Sequence, residues 1–198
     1  IMQKPYSESC NQNRDHILQV ISHLLANNRA VLEIGSGTGQ HAVYFAEKLP
    51  HLLWYTSDCI EYHSGINSWL EEAGLDNTRA PVELNVSTSS WPDIEVDAVF
   101  SANTAHIMHW NDVEAMFEGV GKLLDSNAKF LLYGPFNYGQ RYTSDSNASF
   151  DDWLKDRDPE SGIRNFEDLN RLAESAGMQL VRDYEMPVNN RILYWKKI

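Results

Sequence analysis

Residues 31–49, VLEIGSGTGQHAVYFAEKL, run a short apolar segment into three glycines at alternate positions and then into an amphipathic stretch. Few chain paths accept that pattern. Four strand-forming residues must end in a turn that needs positive φ, and a helix must begin directly after it. Gly35 permits the sharp turn, Gly37 leaves the backbone bare for a ligand, and Gly39 lets the following helix pack close to the strand. The glycines are spaced G-x-G-x-G, whereas the dinucleotide fingerprint is G-x-G-x-x-G. No Lys-Ser or Lys-Thr follows them, which excludes a phosphate-binding P-loop. Glu33, two positions before Gly35, would repel a pyrophosphate and suits a cationic amino-acid group.

The rest of the chain repeats the strand–helix alternation. Apolar residues at helical spacing predict a helix over 11–28, and strands are expected at 30–34, 52–58, 82–86, 96–103 and 130–133. Helices are expected at 40–49 and 66–73, and a third at 111–124 with a capping box of Asn111 and Glu114. A long polar loop over 134–149 precedes helices at 150–155 and 165–176. Two terminal strand patterns, MQLVRDYEM and RILYWKK, are parted by Pro187 and Asn189-Asn190 and predict an antiparallel hairpin. Alternation of this kind predicts an α/β fold, a mostly parallel sheet covered on both faces and closed by that hairpin. One domain is expected over 1–198, with residues 1–28 as an N-terminal cap. Ligands of such sheets sit beyond the carboxyl ends of the strands, where the glycine turn, Asp58, Asn85, Asn103 and Gly134 are expected.

Charge narrows the partners. The net charge is −12, and the longest basic run is Lys196-Lys197. Nucleic-acid and anionic-membrane binding draw on clustered Lys and Arg, so neither partner is expected. Cys10 and Cys59 form no CxxC pair, and no apolar stretch reaches the roughly 18–20 residues of a membrane helix. These features predict a cytoplasmic protein.

Asp58, at the end of the second strand, is placed to accept hydrogen bonds from two ribose hydroxyls. The turn, Glu33 and Asp58 together resemble the S-adenosylmethionine site of class I methyltransferases, a Rossmann-like fold with seven strands. The likeness is wider still. KPYSESCNQNRDHIL, VLEIGSGTGQHAVYFA, YGPFNYGQRYTSDSNASFDDWL and MPVNNR are similar to the landmarks of one methyltransferase-like family, domain of unknown function 938 (the methyltransferase-like 26 group). This chain departs from that family with Asn85 where Asp is usual and His16 where Pro is usual.

The resemblance implies S-adenosylmethionine as cofactor, held by Glu33, Gly35, Ser36, Gly37, Gly39, Asp58, Asn85, Val86 and Asn103, and methyl transfer to a small-molecule or protein acceptor. Methyl transfer from a sulfonium is a displacement with a good leaving group, so positioning supplies much of the catalysis. His106, Asn103 and Tyr138 are the candidate catalytic groups. Asn11, Arg14, His41, Tyr133, Asn137, Tyr138, Arg141 and Asn147 are the candidate acceptor contacts, the last three on a loop expected to act as a lid. No metal is expected, because His106-x-x-His109 lacks a third ligand at convincing spacing. The rival class is a cofactor-binding regulatory or scaffolding protein without catalysis.

Overall fold

Ser7 sets where the first helix begins. In the computed structural model, which describes residues 4–198, its side chain accepts the Cys10 N–H and starts α1 at Glu8–Leu24, three residues before the expected Asn11. The chain divides into two compact units, Ile1–Phe100 and Ser101–Ile198. Each has its own aromatic centre.

In the first unit, β1 (Ala30–Glu33), β2 (Leu53–Asp58) and β3 (Thr78–Glu83) alternate with α2 (Gln40–Lys48) and α3 (His63–Ala73), and β4 (Ala98–Ala102) pairs with β1 from its first residues. All pairings here are parallel. Four-residue β1 is buried at every position, as a strand covered on both faces must be. Phe45, Trp54 and Phe100 pack with ring centroids 5.7–5.9 Å apart, joining α2, β2 and β4. The third strand is not the expected 82–86. It starts four residues earlier and contains Pro81, because β3 lies at the sheet edge, where a missing N–H costs no ladder bond. At Asn85 the chain is already turning: its carbonyl accepts the Thr88 and Ser89 N–H groups.

In the second unit, β9 (Asn190–Lys197) runs antiparallel to both β5 (Lys129–Gly134) and β8 (Met178–Met186), the latter as the terminal hairpin pattern predicts. Phe117 of α4 (Trp110–Leu123), Phe130 and Trp195 form its aromatic centre, 5.3–5.6 Å apart. α4 has no capping box; His109 precedes it without a side-chain cap and Asn111 lies inside the helix. The largest departure is the expected loop over 134–149. Phe136–Asn137 (β6) pairs in parallel with Arg164–Asn165 (β7), Tyr138 bridges Arg141, and α5 runs from Asp145 to Arg157 under a Ser144 cap. Helix α5 has a weak apolar face, so periodicity marks only its second half. α6 spans Phe166–Ser175.

The seven main strands form one α/β sheet in the order β3-β2-β1-β4-β5-β9-β8, mostly parallel with the antiparallel pair at the C-terminus. The order reverses between β1 and β4, and the glycine turn leaves β1 at that reversal.

Candidate functional site

The glycine turn takes the conformation its composition requires. Gly35, Gly37 and Gly39 have φ of 72°, 59° and 94°. A Cβ on Gly37 would meet nothing within 4 Å, whereas one on Gly39 would lie 3.1 Å from the Ile66 Cα and 3.2 Å from the Trp69 Cβ. Gly39 therefore lets the turn pack against α3, not against the strand as expected, and Gly37 faces open space.

Hydrogen bonds tie the turn to β2. Ser36 donates its N–H to the Ser57 carbonyl at 2.8 Å, and its buried hydroxyl accepts the Ser57 N–H at 3.0 Å. Ser36 thus braces the turn. Asp58 does so too: Oδ2 accepts the Gly37 N–H at 2.8 Å and Oδ1 the Cys59 N–H at 2.7 Å. Each oxygen has a second lone pair, so both can also take a ligand hydroxyl. Burial raises the Asp58 carboxyl above its ordinary range, while these two N–H bonds draw it back.

Glu33 is 2% exposed, and its Oε1 accepts the Trp54 indole N–H at 3.3 Å. Burial pushes its carboxyl up to about 7, although Ser36 and Trp54 donate to it. A carboxylate ready to ionise near neutrality beside a bare glycine turn suits a cationic ligand. At the end of β3, the Leu84 N–H donates to the Asp58 carbonyl at 3.1 Å, which brings Asn85 and Val86 next to Asp58. Asn85 is exposed with Oδ1 accepting the Ser87 N–H; Val86 is buried, and its carbonyl accepts the Trp91 indole.

The N-terminal segment closes over this turn by contacts no local pattern announces. The Gln40 amide pairs with both backbone groups of Ser7, accepting N–H at 2.6 Å and donating to the carbonyl at 3.2 Å. Thr38 donates to the same Gln40 oxygen. Pro5 accepts the Trp69 indole N–H at 2.6 Å, and Lys4 lies 3.6 Å over the Trp69 ring. Ser7, Thr38 and Gln40 escape sequence reasoning, since Ser7 and Gln40 are 33 residues apart. His41, expected to face a ligand, is buried instead. It stacks on Phe45 with centroids 5.1 Å apart, and its Nε2 lies 2.7 Å from Asn13 Oδ1. Burial, with Arg14 nearby, holds its pKa down to about 4, so the ring is neutral. Asn11 is exposed, and Arg14 sits over the Tyr44 ring.

In the second unit, Asn103 follows β4 with φ of 58° and donates its N–H to the Tyr133 carbonyl at 2.9 Å. A non-glycine residue in that region marks backbone held by its surroundings. His106 is buried, lies 3.7 Å from where a Gly134 Cβ would stand, and meets Phe150 edge-on at 5.4 Å. Burial holds it near 4. His109 takes different partners, Asp158 at 2.7 Å and Glu160 at 3.2 Å on its two ring nitrogens. An imidazolium can donate to both carboxylates, and the pKa of His109 is raised accordingly, first by its bond to Asp158.

Three predicted contacts are structurally engaged. The Tyr138 hydroxyl donates to Asp183 at 2.5 Å while its ring stacks on Phe166. Asn147 is buried, with its N–H on Ser144 and its amide donating to Thr143 at 3.0 Å. Arg141 is exposed beyond its bridge to Tyr138. Tyr133 is buried within β5. Asn137 differs: it is buried, yet among the described residues its Oδ1 has no hydrogen-bond partner.

A family model described as a protein of unknown function, DUF938, matches residues 4–197. Among solved structures, an O-methyltransferase family protein from Burkholderia thailandensis superposes with a TM-score of 0.84 at 13% identity, covering 96% of this chain and 57% of that one. Human N-acetylserotonin methyltransferase in complex with S-adenosylmethionine gives 0.79 at 16% identity, over 96% and 53%. An O-methyltransferase family 2 protein from Planctomyces limnophilus in complex with apigenin gives 0.76 at 14% identity, over 86% and 51%. These likenesses show the fold. The chain spans little more than half the length of each.

Proposed function

The chain belongs to the DUF938 family, and we propose that it is an S-adenosylmethionine-dependent methyltransferase acting on a small molecule in the cytoplasm. The observation that carries this reading is the first unit's turn. A bare Gly37 backbone, a buried Glu33 and a half-buried Asp58 converge at the sheet's order reversal, with chemistry for an ammonium group and a ribose. A pyrophosphate would meet the buried Glu33 carboxyl there, without the dinucleotide glycine spacing. The human structural neighbour that holds S-adenosylmethionine and the bacterial one that holds apigenin support the cofactor and the small-molecule class.

Glu33 would hold the ammonium, Asp58 the ribose, and Asn85 with Val86 the adenine edge. The cofactor supplies an activated methyl group when bound. In the second unit His106 is the candidate for orienting the acceptor. With its pKa near 4, it stays neutral at pH 7 and is too weak a base to drive catalysis by proton removal. A neutral imidazole can hydrogen-bond an acceptor hydroxyl and orient it. Asn137, with its orphaned buried oxygen, is the better candidate for an acceptor contact than Tyr138, whose hydroxyl is committed to Asp183.

Calorimetry tests the cofactor: S-adenosylmethionine and its demethylated product should bind while NAD and ATP give no heat, and NAD binding of equal strength would overturn the reading. A labelled-methyl screen against metabolite pools and lysate proteins tests the acceptor. Tight cofactor binding with label transferred nowhere would favour the regulatory alternative.

A further inference from the structure

Arg14 is a cation without an anion. The chain carries twelve more acidic than basic side chains, yet among the described residues Arg14 forms no ion pair, and its Nε is buried with no hydrogen-bond partner. The neighbouring acid, Asp15, is occupied by the Tyr44 hydroxyl. The guanidinium is nonetheless held in place, 4.3 Å over the Tyr44 ring. Burying part of a guanidinium without a counter-charge is costly, and a site that does so has reason to receive an anion.

Its position says which anion. Ser7 and Asn13 of the same segment are fastened to Gln40 and His41, the first two residues of α2 after Gly39. Arg14, adjacent to Asn13 and over Tyr44, therefore lies beside the helix that opens directly from the glycine turn. His41 next to it is buried and neutral, so it neither pairs with an anion nor competes for one. Among the described residues, Glu33, on the strand side of the turn, is the one acid fully buried there. With Asp58 engaged by the Gly37 and Cys59 N–H groups, the turn is flanked by one buried acid and one unpaired base, the complement of a zwitterionic α-amino acid.

Building on the cofactor reading above, we infer that Arg14 binds the α-carboxylate of the cofactor's amino-acid end, with Glu33 taking the α-ammonium. The N-terminal segment is then part of the cofactor site, and its docking through Gln40 positions the guanidinium.

The test compares S-adenosylmethionine with its decarboxylated form, which keeps the ammonium, ribose and adenine. Wild type should bind the carboxylate-bearing ligand at least tenfold more tightly. Arg14→Ala should bind both equally, at the strength wild type shows for the decarboxylated ligand, and Arg14→Lys should restore part of the preference. Thermal melting of both variants checks that α1 stays docked. Arg14→Ala that keeps the full preference overturns the inference and leaves the cofactor reading intact. Equal loss of both ligands, with unchanged melting, also overturns it, since Arg14 would then act through the segment and not on the carboxylate. Failure of wild type to bind either ligand would overturn both.

Discussion

Glu33→Gln should make the protein more stable and a poorer ligand binder at the same time. The Glu33 carboxyl, 2% exposed, is raised by burial from 4.5 to about 7. A carboxyl whose pKa is higher folded than unfolded holds its proton more tightly in the fold. Its favourable contribution is therefore full below about pH 4.5 and is lost as pH rises through 7. A difference of this size corresponds to roughly 3 kcal/mol at pH 8, where the charge must be carried unpaired. The amide of the variant carries no charge, and its oxygen can still accept the Trp54 indole N–H. The substitution should recover up to about 3 kcal/mol at pH 8, some 6–12 °C in Tm for a chain of this size, and gain nothing at pH 4.5. Ligand binding runs the other way. An ammonium selects ionised Glu33, so affinity for S-adenosylhomocysteine should weaken roughly eightfold between pH 7.5 and pH 6, with proton release on binding. Calorimetry in buffers of different ionisation enthalpy reads both quantities. Affinity that is flat over this range in wild type, or equally pH-dependent in Glu33→Gln, would refute the assignment of the ammonium to Glu33.

Asp58→Ala removes the acceptor of the Gly37 and Cys59 N–H groups as well as the ribose contacts. Cofactor affinity measured by calorimetry should fall at least tenfold and stability by about 1–3 kcal/mol, and wild-type affinity would exclude Asp58 as the ribose ligand. The glycines should separate by phenotype. Gly39→Val forces a side chain at φ of 94° against α3 and should cost about 2–4 kcal/mol in denaturant unfolding, whereas Gly37→Ala meets no protein atom, bears only the roughly 1 kcal/mol strain of φ 59°, and should weaken ligand binding more than stability. Amides of α5 should be protected from hydrogen exchange without any ligand, because Ser144 caps the helix and Asn147 is buried; exchange there at loop rates would revive the lid expectation.

Features whose physics is local are legible in the chain before it folds. Glycines at alternate positions after an apolar strand admit one path, so the turn at 35–39 can be read directly, as can the parallel alternation and the terminal hairpin. Other features depend on partners far along the chain. Pro81 within β3 is tolerated because that strand lies at the sheet edge, a fact of strand order that residues 78–83 do not carry. The segment 134–149 looks like loop because it is polar, yet short-range caps and the pairing of Asn137 with Asn165 order it. His41 and Arg14 show the same division in the site. Their residue types suggest ligand contacts equally, but only the docking of α1 on α2 buries one against Asn13 and leaves the other's Nε without a partner. Long-range packing decides which polar groups are satisfied, and pairs such as Ser7 and Gln40 leave no spacing in the sequence to betray them.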